Sequence, residues 1–319
     1  MSSRFRGRLG LAWLLGCVAL LAPSVAEAQE KSQFLVSDPV DFDFTPLVHS
    51  EIAQASAGGQ PSGTDNQPVT VTPGESVAAE EGSLAKAAQN PLASMISLPF
   101  QNNTNTNVGP LDGTQNILNI QPVWPIDWND NWNLITRTIV PVVSQPAMSA
   151  AGSRKSGLGD ITFTGFFAPK ETEKWIWGAG AAVLLPTGGD GLTADKWGLG
   201  PSIVALSMDG PWVYGGLVSN VWSVAGSGAS DINLLTLQPF INYNLPGGRY
   251  FTSSPVISAN WEAASEEQWT VPLGLGYGKI FKLGNTPVNG QISLYRNVKR
   301  PTNGAEWQLR AQLQFMFPR

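Results

Sequence analysis

The chain has 319 residues, with 19 Lys and Arg against 24 Asp and Glu, a net charge of −5. An acidic chain without a basic run is a poor nucleic-acid binder, so no nucleic-acid partner is expected. Its single cysteine, Cys17, excludes a disulfide framework and a thiolate metal site.

The first 28 residues have the pattern of a secretory signal peptide. Three arginines precede a short apolar stretch over 9–22, and an A-x-A cleavage site, Ala26–Ala28, follows it. A rival interpretation is the lipobox-like Leu14–Cys17, which would make Cys17 a lipidated N-terminus. Beyond the signal, no stretch approaches the roughly 18 uninterrupted apolar residues of a spanning helix. An exported chain of this kind can still cross a membrane as a closed β-barrel.

Residues 29–90 predict a disordered periplasmic linker. They are rich in Ala, Ser, Gly, Pro, Glu and Gln and contain few large apolar residues that a core could bury. The only histidine, His49, lies in this linker. Because no histidine is left for the rest of the chain, the Ser–His arrangement of a barrel hydrolase is missing.

Residues 91–319 predict an all-β fold, an antiparallel up-and-down transmembrane barrel of about 12 strands. The proposed strands are 92–101, 115–126, 132–144, 158–168, 174–186, 197–208, 211–224, 231–244, 249–261, 268–281, 288–299 and 305–317. Short connections alternate with longer ones, as in outer-membrane barrels, which turn tightly on the periplasmic side. This alternation predicts that both barrel ends lie in the periplasm and the longer loops outside.

Strand patterning separates a lipid face from a lumen face, most clearly in the last strand. Trp307, Leu309, Ala311, Leu313, Phe315 and Phe317 alternate with Gln308, Arg310, Gln312, Gln314 and Met316. Barrel-assembly machinery typically reads such a strand, so Phe315 and Phe317 are predicted to form the assembly signal. Trp and Tyr also cluster near the proposed strand ends, as expected of aromatic girdles at the two membrane interfaces.

Polar and charged residues among apolar neighbours are the candidates for the lumen. An arginine or lysine on the lipid face near the bilayer midplane costs roughly 2–4 kcal/mol, so such residues should point inward. The lumen-lining candidates are Arg137, Asp160, Gln238, Glu306, Gln308, Arg310 and Gln312. They either line a pore or pair with one another to fill a small lumen. Arg296 alternates with Ile292 and Leu294, so it either snorkels at the outer rim or is turned inward by a bulge.

Five interior prolines conflict with a fully paired sheet, in which each residue donates a backbone hydrogen bond. They are Pro141, Pro201, Pro239, Pro255 and Pro272. β-Bulges are one explanation for some of them.

The body of the chain resembles a bacterial family of outer-membrane β-barrels associated with the meta-pathway of phenol degradation and often labelled transporters. The similar stretches are QPVWPIDWNDNWNLITRTIVPVV (121–143), SGLGDITFTGFFAPK (156–170), WGAGAAVLLPTGGD (177–190), GPWVYGGLVSNVWSVAG (210–226), LQPFINYNLPGG (237–248) and WQLRAQLQFMFP (307–318). The resemblance implies a barrel in the outer membrane. It implies no substrate, because the family label comes from pathway association.

These patterns predict a channel or transporter for a small solute, with aromatic or hydrophobic solutes as candidates. The alternative is a non-transporting structural or envelope-interaction barrel with a plugged lumen. No catalytic motif, metal site or cofactor motif is found in the sequence. The expected partners are outer-membrane lipid and lipopolysaccharide, the barrel-assembly machinery and an unidentified small molecule.

Overall fold

The computed structural model describes residues 82, 84–86 and 88–317. The signal peptide and most of the linker, with Cys17 and His49, lie outside this part of the chain. Within it, no helix has the length and apolarity to cross a membrane. The strands are β1 (Ile96–Val108), β2 (Gly113–Ile120), β3 (Val123–Asp127), β4 (Trp132–Gln145), β5 (Lys155–Leu158), β6 (Ile161–Pro169), β7 (Ile176–Leu185), β8 (Lys196–Asp209), β9 (Trp212–Gly226), β10 (Asn233–Asn244), β11 (Arg249–Ser253), β12 (Ile257–Asn260), β13 (Trp269–Leu283), β14 (Thr286–Lys299) and β15 (Trp307–Phe317).

These strands form one closed antiparallel barrel of twelve wall positions, which we call staves. Three staves consist of two segments in line: β2 with β3, β5 with β6, and β11 with β12. The first and last strands close the wall, in a register that runs from Ile96 opposite Phe317 to Thr106 opposite Trp307. The prediction of an all-β antiparallel barrel of about 12 strands is therefore confirmed.

Prolines explain why twelve staves contain fifteen strands. Pro122 and Pro255 lie in two of the breaks, and Pro141 lies beside the third, where its carbonyl accepts from the Gly159 N–H at 2.8 Å. Pro272 marks a true bulge, because the register between β13 and β14 shifts there. At Pro255 the bulge explanation is wrong, since the register is unchanged across the break.

The first strand was predicted too short. A strand over 92–101 followed by a long loop over 102–114 was expected, but β1 continues to Val108 and the connection covers only 109–112. Asn is depleted in strands, so the Asn-rich stretch NNTNTN has the composition of a loop even though Thr favours strands. Inside the barrel, however, these side chains have partners: the Asn105 amide donates to the Gln115 side chain at 2.7 Å.

The remaining connections alternate as predicted, except that 170–175 and 227–232 are equally long. Ile96 and Phe317 lie at the same end of the wall as the short turns, and we call this the terminal end. The opposite, loop end carries the longer connections. The short turns are 128–131, 170–175, 210–211, 245–248 and 284–285; the longer connections are 146–154, 186–195, 227–232, 261–268 and 300–306.

The outer surface is apolar and the inner surface is largely polar. In β10, Leu237 and Ile241 are exposed, whereas Thr236, Gln238 and Asn242 are buried. Aromatic pairs mark both edges of this outer belt. Trp132–Trp177 and Trp212–Tyr243 lie near the terminal end, and Trp261–Trp269 lies near the loop end. Arg296 projects outward at the loop-end rim, over the ring of Trp307, so it is not turned inward by a bulge.

Candidate functional site

The segment that precedes β1 occupies the mouth of the barrel at the terminal end. We call residues 84–86 and 88–95 the mouth segment. Leu92 is only 6% exposed and packs in a buried apolar cluster with inward-facing residues of four staves. These partners are Ile135, Ile139, Phe166, Ala168, Val204 and Leu217. The apolar side chain of the segment therefore fills space that belongs to the interior of the barrel.

A second cluster fixes the other side of the mouth segment. Ala85, Ala88 and Met95 pack against residues of the opposite wall. Those residues are Tyr250 of β11, Ile280 of β13 and Met316 of β15. The mouth segment is thus held between two halves of the barrel wall.

Polar contacts add specificity to this docking. The side-chain amides of Gln89 and Asn244 exchange two hydrogen bonds of 2.9 Å each. The Asn133 amide donates to the Ser94 hydroxyl at 3.1 Å. Asn133 and Asn244 lie on different staves. These hydrogen bonds therefore fix the position of the mouth segment relative to two parts of the wall, in addition to the apolar contacts that bury it.

The inward-facing surface has an apolar part and a polar part, which we call the apolar layer and the polar layer. The apolar layer surrounds the mouth segment and is formed by the two clusters above. The other buried inward positions are mainly Asn, Gln, Ser, Thr and Arg, and they form the polar layer. On the side of β1, β2, β14 and β15 it extends along the barrel, and examples are Gln101, Asn103, Gln115, Gln121, Asn289 and Gln314. A solute crossing the barrel would meet the two environments side by side.

Arg310 is the central contact of the polar layer. It is only 1% exposed, and its Nε and Nη2 donate to Asn103 Oδ1 at 3.3 Å and Gln308 Oε1 at 3.2 Å. Nη1 donates to the Ser254 carbonyl at 3.0 Å. The guanidinium also lies 4.9 Å from the centre of the Tyr295 ring, within cation–π range. One side chain therefore joins β15, β1, β14 and the break between β11 and β12.

Four other predicted residues also lie in this layer. Arg137 is buried and donates to the Gln121 side chain. Gln238 donates to the Ser254 hydroxyl at 2.7 Å, and Gln308 donates to Asn105 Oδ1 at 3.1 Å. Gln312 is buried as well. Whether these residues line a passage stays a prediction.

Asp160 and Glu306 are placed differently from the other candidates. The Asp160 carboxylate accepts the backbone N–H groups of Gly188 at 3.0 Å and Ala194 at 2.8 Å, so it shapes the 186–195 connection at the loop end. Glu306 pairs with the outward Arg296 at 3.4 Å. Neither carboxylate is brought to Arg137 or Arg310.

The loop end carries two carboxylates with perturbed acidity. Hydrogen bonds from the Lys196 ammonium and the Ser223 hydroxyl lower the pKa of Asp231. Hydrogen bonds from the hydroxyl and then the backbone N–H of Thr302 lower the pKa of Glu267. Glu267 therefore ties the 261–268 connection to the 300–306 connection.

The two C-terminal aromatics lie on the outer wall. Phe317 is exposed, and Phe315 makes an edge-on contact with Phe100 of β1 at 6.2 Å between ring centres. Their role as an assembly signal stays a prediction. Among the described residues, no group of three or more His, Cys, Asp or Glu is placed to hold a metal.

Sequence reasoning missed Asn103, Asn105, Tyr295 and Leu92. The first two carry a usable signal, because Asn recurs with the two-residue period of a strand face. The other two have no local signal, since their roles depend on contacts between distant parts of the chain.

Comparison with known proteins supports the fold. No family model and no curated protein sequence matches the chain. An outer-membrane channel from Pseudomonas putida F1 is similar, with a TM-score of 0.53 and 18% identity, covering 70% of this chain and 94% of that chain. The NanC porin gives a TM-score of 0.46 at 8% identity, covering 70% of this chain and 100% of that chain. The CymD monoaromatic hydrocarbon channel gives a TM-score of 0.40 at 8% identity, covering 77% of this chain and 93% of that chain.

The first of these shares the barrel fold, and the other two are too distant to add to the argument. The phenol-degradation family stays a resemblance.

Proposed function

We propose that the chain is an outer-membrane channel through which a small solute passes. The reversed polarity of the wall carries this proposal: apolar side chains such as Leu237 and Ile241 face outward, and Gln238 is buried inside. A soluble monomer rarely exposes a continuous apolar belt of this size, whereas a membrane barrel requires it. In this proposal residues 1–28 are removed on export, the part of 29–90 that precedes the mouth segment lies in the periplasm, and the wall of the barrel begins at Ile96.

The two-layered interior suggests the kind of solute. The apolar layer that now surrounds Leu92 would accommodate an apolar or aromatic body, and the polar layer would contact a polar group. We therefore propose a small solute with both characters. Two guanidinium groups, Arg137 and Arg310, would in addition give an open lumen a weak preference for anions at low salt.

A second function is favoured by the mouth segment itself. If that segment never leaves the mouth, the chain is a structural barrel with a filled interior. The reciprocal Gln89–Asn244 pair and the burial of Leu92 support this alternative.

Single-channel recording in planar bilayers separates the two functions. The parent protein should show rare openings, and Leu92→Gln should show more frequent ones, because a buried apolar contact is replaced by an amide. Leu84→Gln is the matched control, since Leu84 is only partly buried. Folded barrels that show no conductance in either variant would support the structural function.

The arginines are tested in the same recordings. Arg310→Gln should reduce the anion preference measured from the reversal potential, and Arg310→Lys should keep most of it. An unchanged reversal potential in both would show that Arg310 does not act on the permeating ions.

A further inference from the structure

The edge of the apolar belt is not level around the barrel, because the outward face of β1 changes from apolar to polar half-way along the strand. Its outward residues, from the terminal end to the loop end, are Ile96, Leu98, Phe100, Asn102, Thr104 and Thr106. Each of them alternates with a buried residue of the interior, so all six belong to the outer surface. The loop-end half of β1 therefore presents amide and hydroxyl groups to the membrane.

The polar positions continue across the neighbouring strands. Thr104 lies opposite Asn116 of β2, and Asn116 lies opposite Ser144 of β4. Ser144 in turn lies opposite Ser156 of β5. The Asn116 amide donates to the Thr104 hydroxyl at 3.0 Å, and the Ser156 hydroxyl donates to the Ser144 hydroxyl at 3.1 Å. We call the outer polar patch the set Asn102, Thr104, Asn116, Ser144, Ser156 and Arg154.

The outer polar patch reaches below the rim of the barrel. Thr106 is opposite Trp307, which lies beneath Arg296 at the loop-end rim, and Asn102 lies four residues further from that end. On the adjoining strands the positions below the rim are apolar: Leu309 is 43% exposed and Leu294 is 50% exposed. A polar group that faces hydrocarbon loses its water, so it is stabilised by a lipid that carries hydrogen-bonding groups at that depth.

Arg154 is fixed at the edge of the outer polar patch. It is exposed, and its Nη1 donates to the Thr114 carbonyl at 3.1 Å, the Ser144 hydroxyl at 3.1 Å and the Ser144 carbonyl at 3.3 Å. Within the described part of the chain, no residue accepts from Nε or Nη2. The guanidinium is thus held against the wall by one nitrogen and keeps further donors for a ligand, in the planar arrangement that suits a phosphate.

The charge of Arg154 is also available. Two other cations of the loop end are paired with carboxylates: Lys196 with Asp231 at 2.8 Å, and Arg296 with Glu306 at 3.4 Å. No carboxylate among the described residues pairs with Arg154. The outer polar patch therefore combines neutral hydrogen-bonding groups with one positive charge that an anionic group can approach.

The order of these groups along the wall matches the order of groups in lipid A. Arg154 lies towards the loop end, the amides and hydroxyls follow, and apolar residues such as Phe100 lie below them. Lipid A has phosphates on a sugar headgroup, amide and hydroxyl groups at the top of its acyl chains, and hydrocarbon below. A glycerophospholipid has a phosphate but no amide or hydroxyl groups at the top of its chains.

A second copy of the chain fits the outer polar patch less well. In a two-fold contact the same surface meets itself, so two Arg154 side chains would approach each other. Like charges repel, and the apolar lower half of the wall would gain nothing over its contact with lipid chains.

We propose that the outer polar patch is a binding site for the lipid A headgroup of lipopolysaccharide. Arg154 binds a phosphate, and Asn102, Thr104 and Asn116 bind the amide and hydroxyl groups at the top of the acyl chains. This inference rests on the proposed function in one respect, that the wall lies in the outer membrane with its loop end towards the outer leaflet.

Binding of purified diphosphoryl lipid A to the full chain in detergent, followed by native mass spectrometry, tests the site. Arg154→Gln should raise the Kd about 10- to 150-fold, because a charge-assisted hydrogen bond to phosphate is lost. Arg154→Lys keeps the charge and should lose less. Arg249→Gln is the matched control, since Arg249 is an exposed arginine on the outer face near the terminal end, and its Kd should equal that of the parent.

The neutral part of the site is tested with two ligands. Thr104→Val with Asn116→Leu makes the patch apolar and removes both partners of one hydrogen bond. The Kd for lipid A should rise by a factor of about 5 to 30, and the Kd for phosphatidylglycerol should not change. Thr138→Val, at an outward threonine of β4 further from the loop end, is the control. Heat-modifiable gel mobility verifies that each variant is folded, and if Arg154→Gln is not, the double variant decides.

The outcomes separate this site from its alternatives. Equal lipid A binding in the parent, Arg154→Gln and the double variant overturns the proposal. Phosphatidylglycerol that binds as tightly as lipid A, with the same dependence on the patch, assigns the site to anionic lipids in general and also overturns it. A two-barrel species that disappears in the variants assigns the patch to a second copy instead. A barrel that binds lipid A but never conducts contradicts the channel alone, whereas one that conducts without binding lipid A contradicts the site alone.

Discussion

Leu92→Ala should release the mouth segment from the barrel without unfolding the wall. The Leu92 side chain is buried among inward-facing residues of four staves. Truncating a buried leucine to alanine costs about 2–4 kcal/mol, through lost transfer energy and the cavity left behind. The backbone hydrogen bonds between the wall strands do not depend on Leu92, so this free-energy cost lowers the stability of the docked segment and not that of the wall. The undocked population should therefore rise by about 30- to 1000-fold.

Cysteine accessibility measures this population. Ala88 is fully buried in the docked segment, so a thiol introduced by Ala88→Cys reacts with a water-soluble maleimide only after undocking. Cys17→Ser removes the only native thiol. The labelling rate should rise in Leu92→Ala and much less in Leu84→Ala, where the side chain is only partly buried. Equal, slow labelling in all three would show that contacts other than Leu92 hold the segment.

Three further predictions concern the linker, the last strand and the loop end. Deleting residues 30–80 should leave the barrel folded, since that segment lacks the apolar mass for a core; loss of the compact heat-modifiable band would contradict this. Phe317→Ala should lower the amount inserted in cells but leave refolding in detergent largely intact, and equal losses in both assays would indicate packing instead. The Thr302 amide should be protected from hydrogen exchange at neutral pH and lose protection in acid. The fold lowers the pKa of Glu267 from its ordinary value of 4.5. The hydrogen bonds from Thr302 to the Glu267 carboxylate are therefore fully present above pH 4.5, and they are lost as the pH falls through the lowered pKa. Glu267→Gln should remove this pH dependence, and a pH dependence that survives would assign it to another group.

The barrel could be predicted because its signals are local and repeated. Alternation over the last strand, 305–317, and the spacing of turns depend only on neighbouring residues. Twelve staves follow from these signals, and their positions agree with the structure to within a few residues, except over 102–108. That stretch failed because strand propensity was judged without the interior partners that asparagine finds there.

The interior could be predicted only in part. The cost of placing Arg310 in lipid identified it as an inward residue, and it is buried in the barrel. Its partners depend on contacts far apart in sequence, such as Asn103, which is 207 residues away. Asp160 was assigned to the lumen because it sits between apolar neighbours, but the break before β6 lets its carboxylate bind a loop instead. The mouth segment has no strand periodicity, so its docking could not be seen at all.

Closure of the wall by β1 and β15 also constrains the order of events during folding. Pairing Ile96 with Phe317 joins the two ends of nearly the whole described chain, and contacts of such long range carry a large loop-closure entropy and form late. The mouth segment is covalently attached to the N-terminal side of β1, and it contacts both the β4–β9 side and Met316 of the final strand. A wall that closes with this segment outside leaves it to dock later through the open mouth, by the reverse of the undocking described above. We expect the segment to be docked already when β1 pairs with β15, because it contacts strands on both sides of that seam and can hold them together.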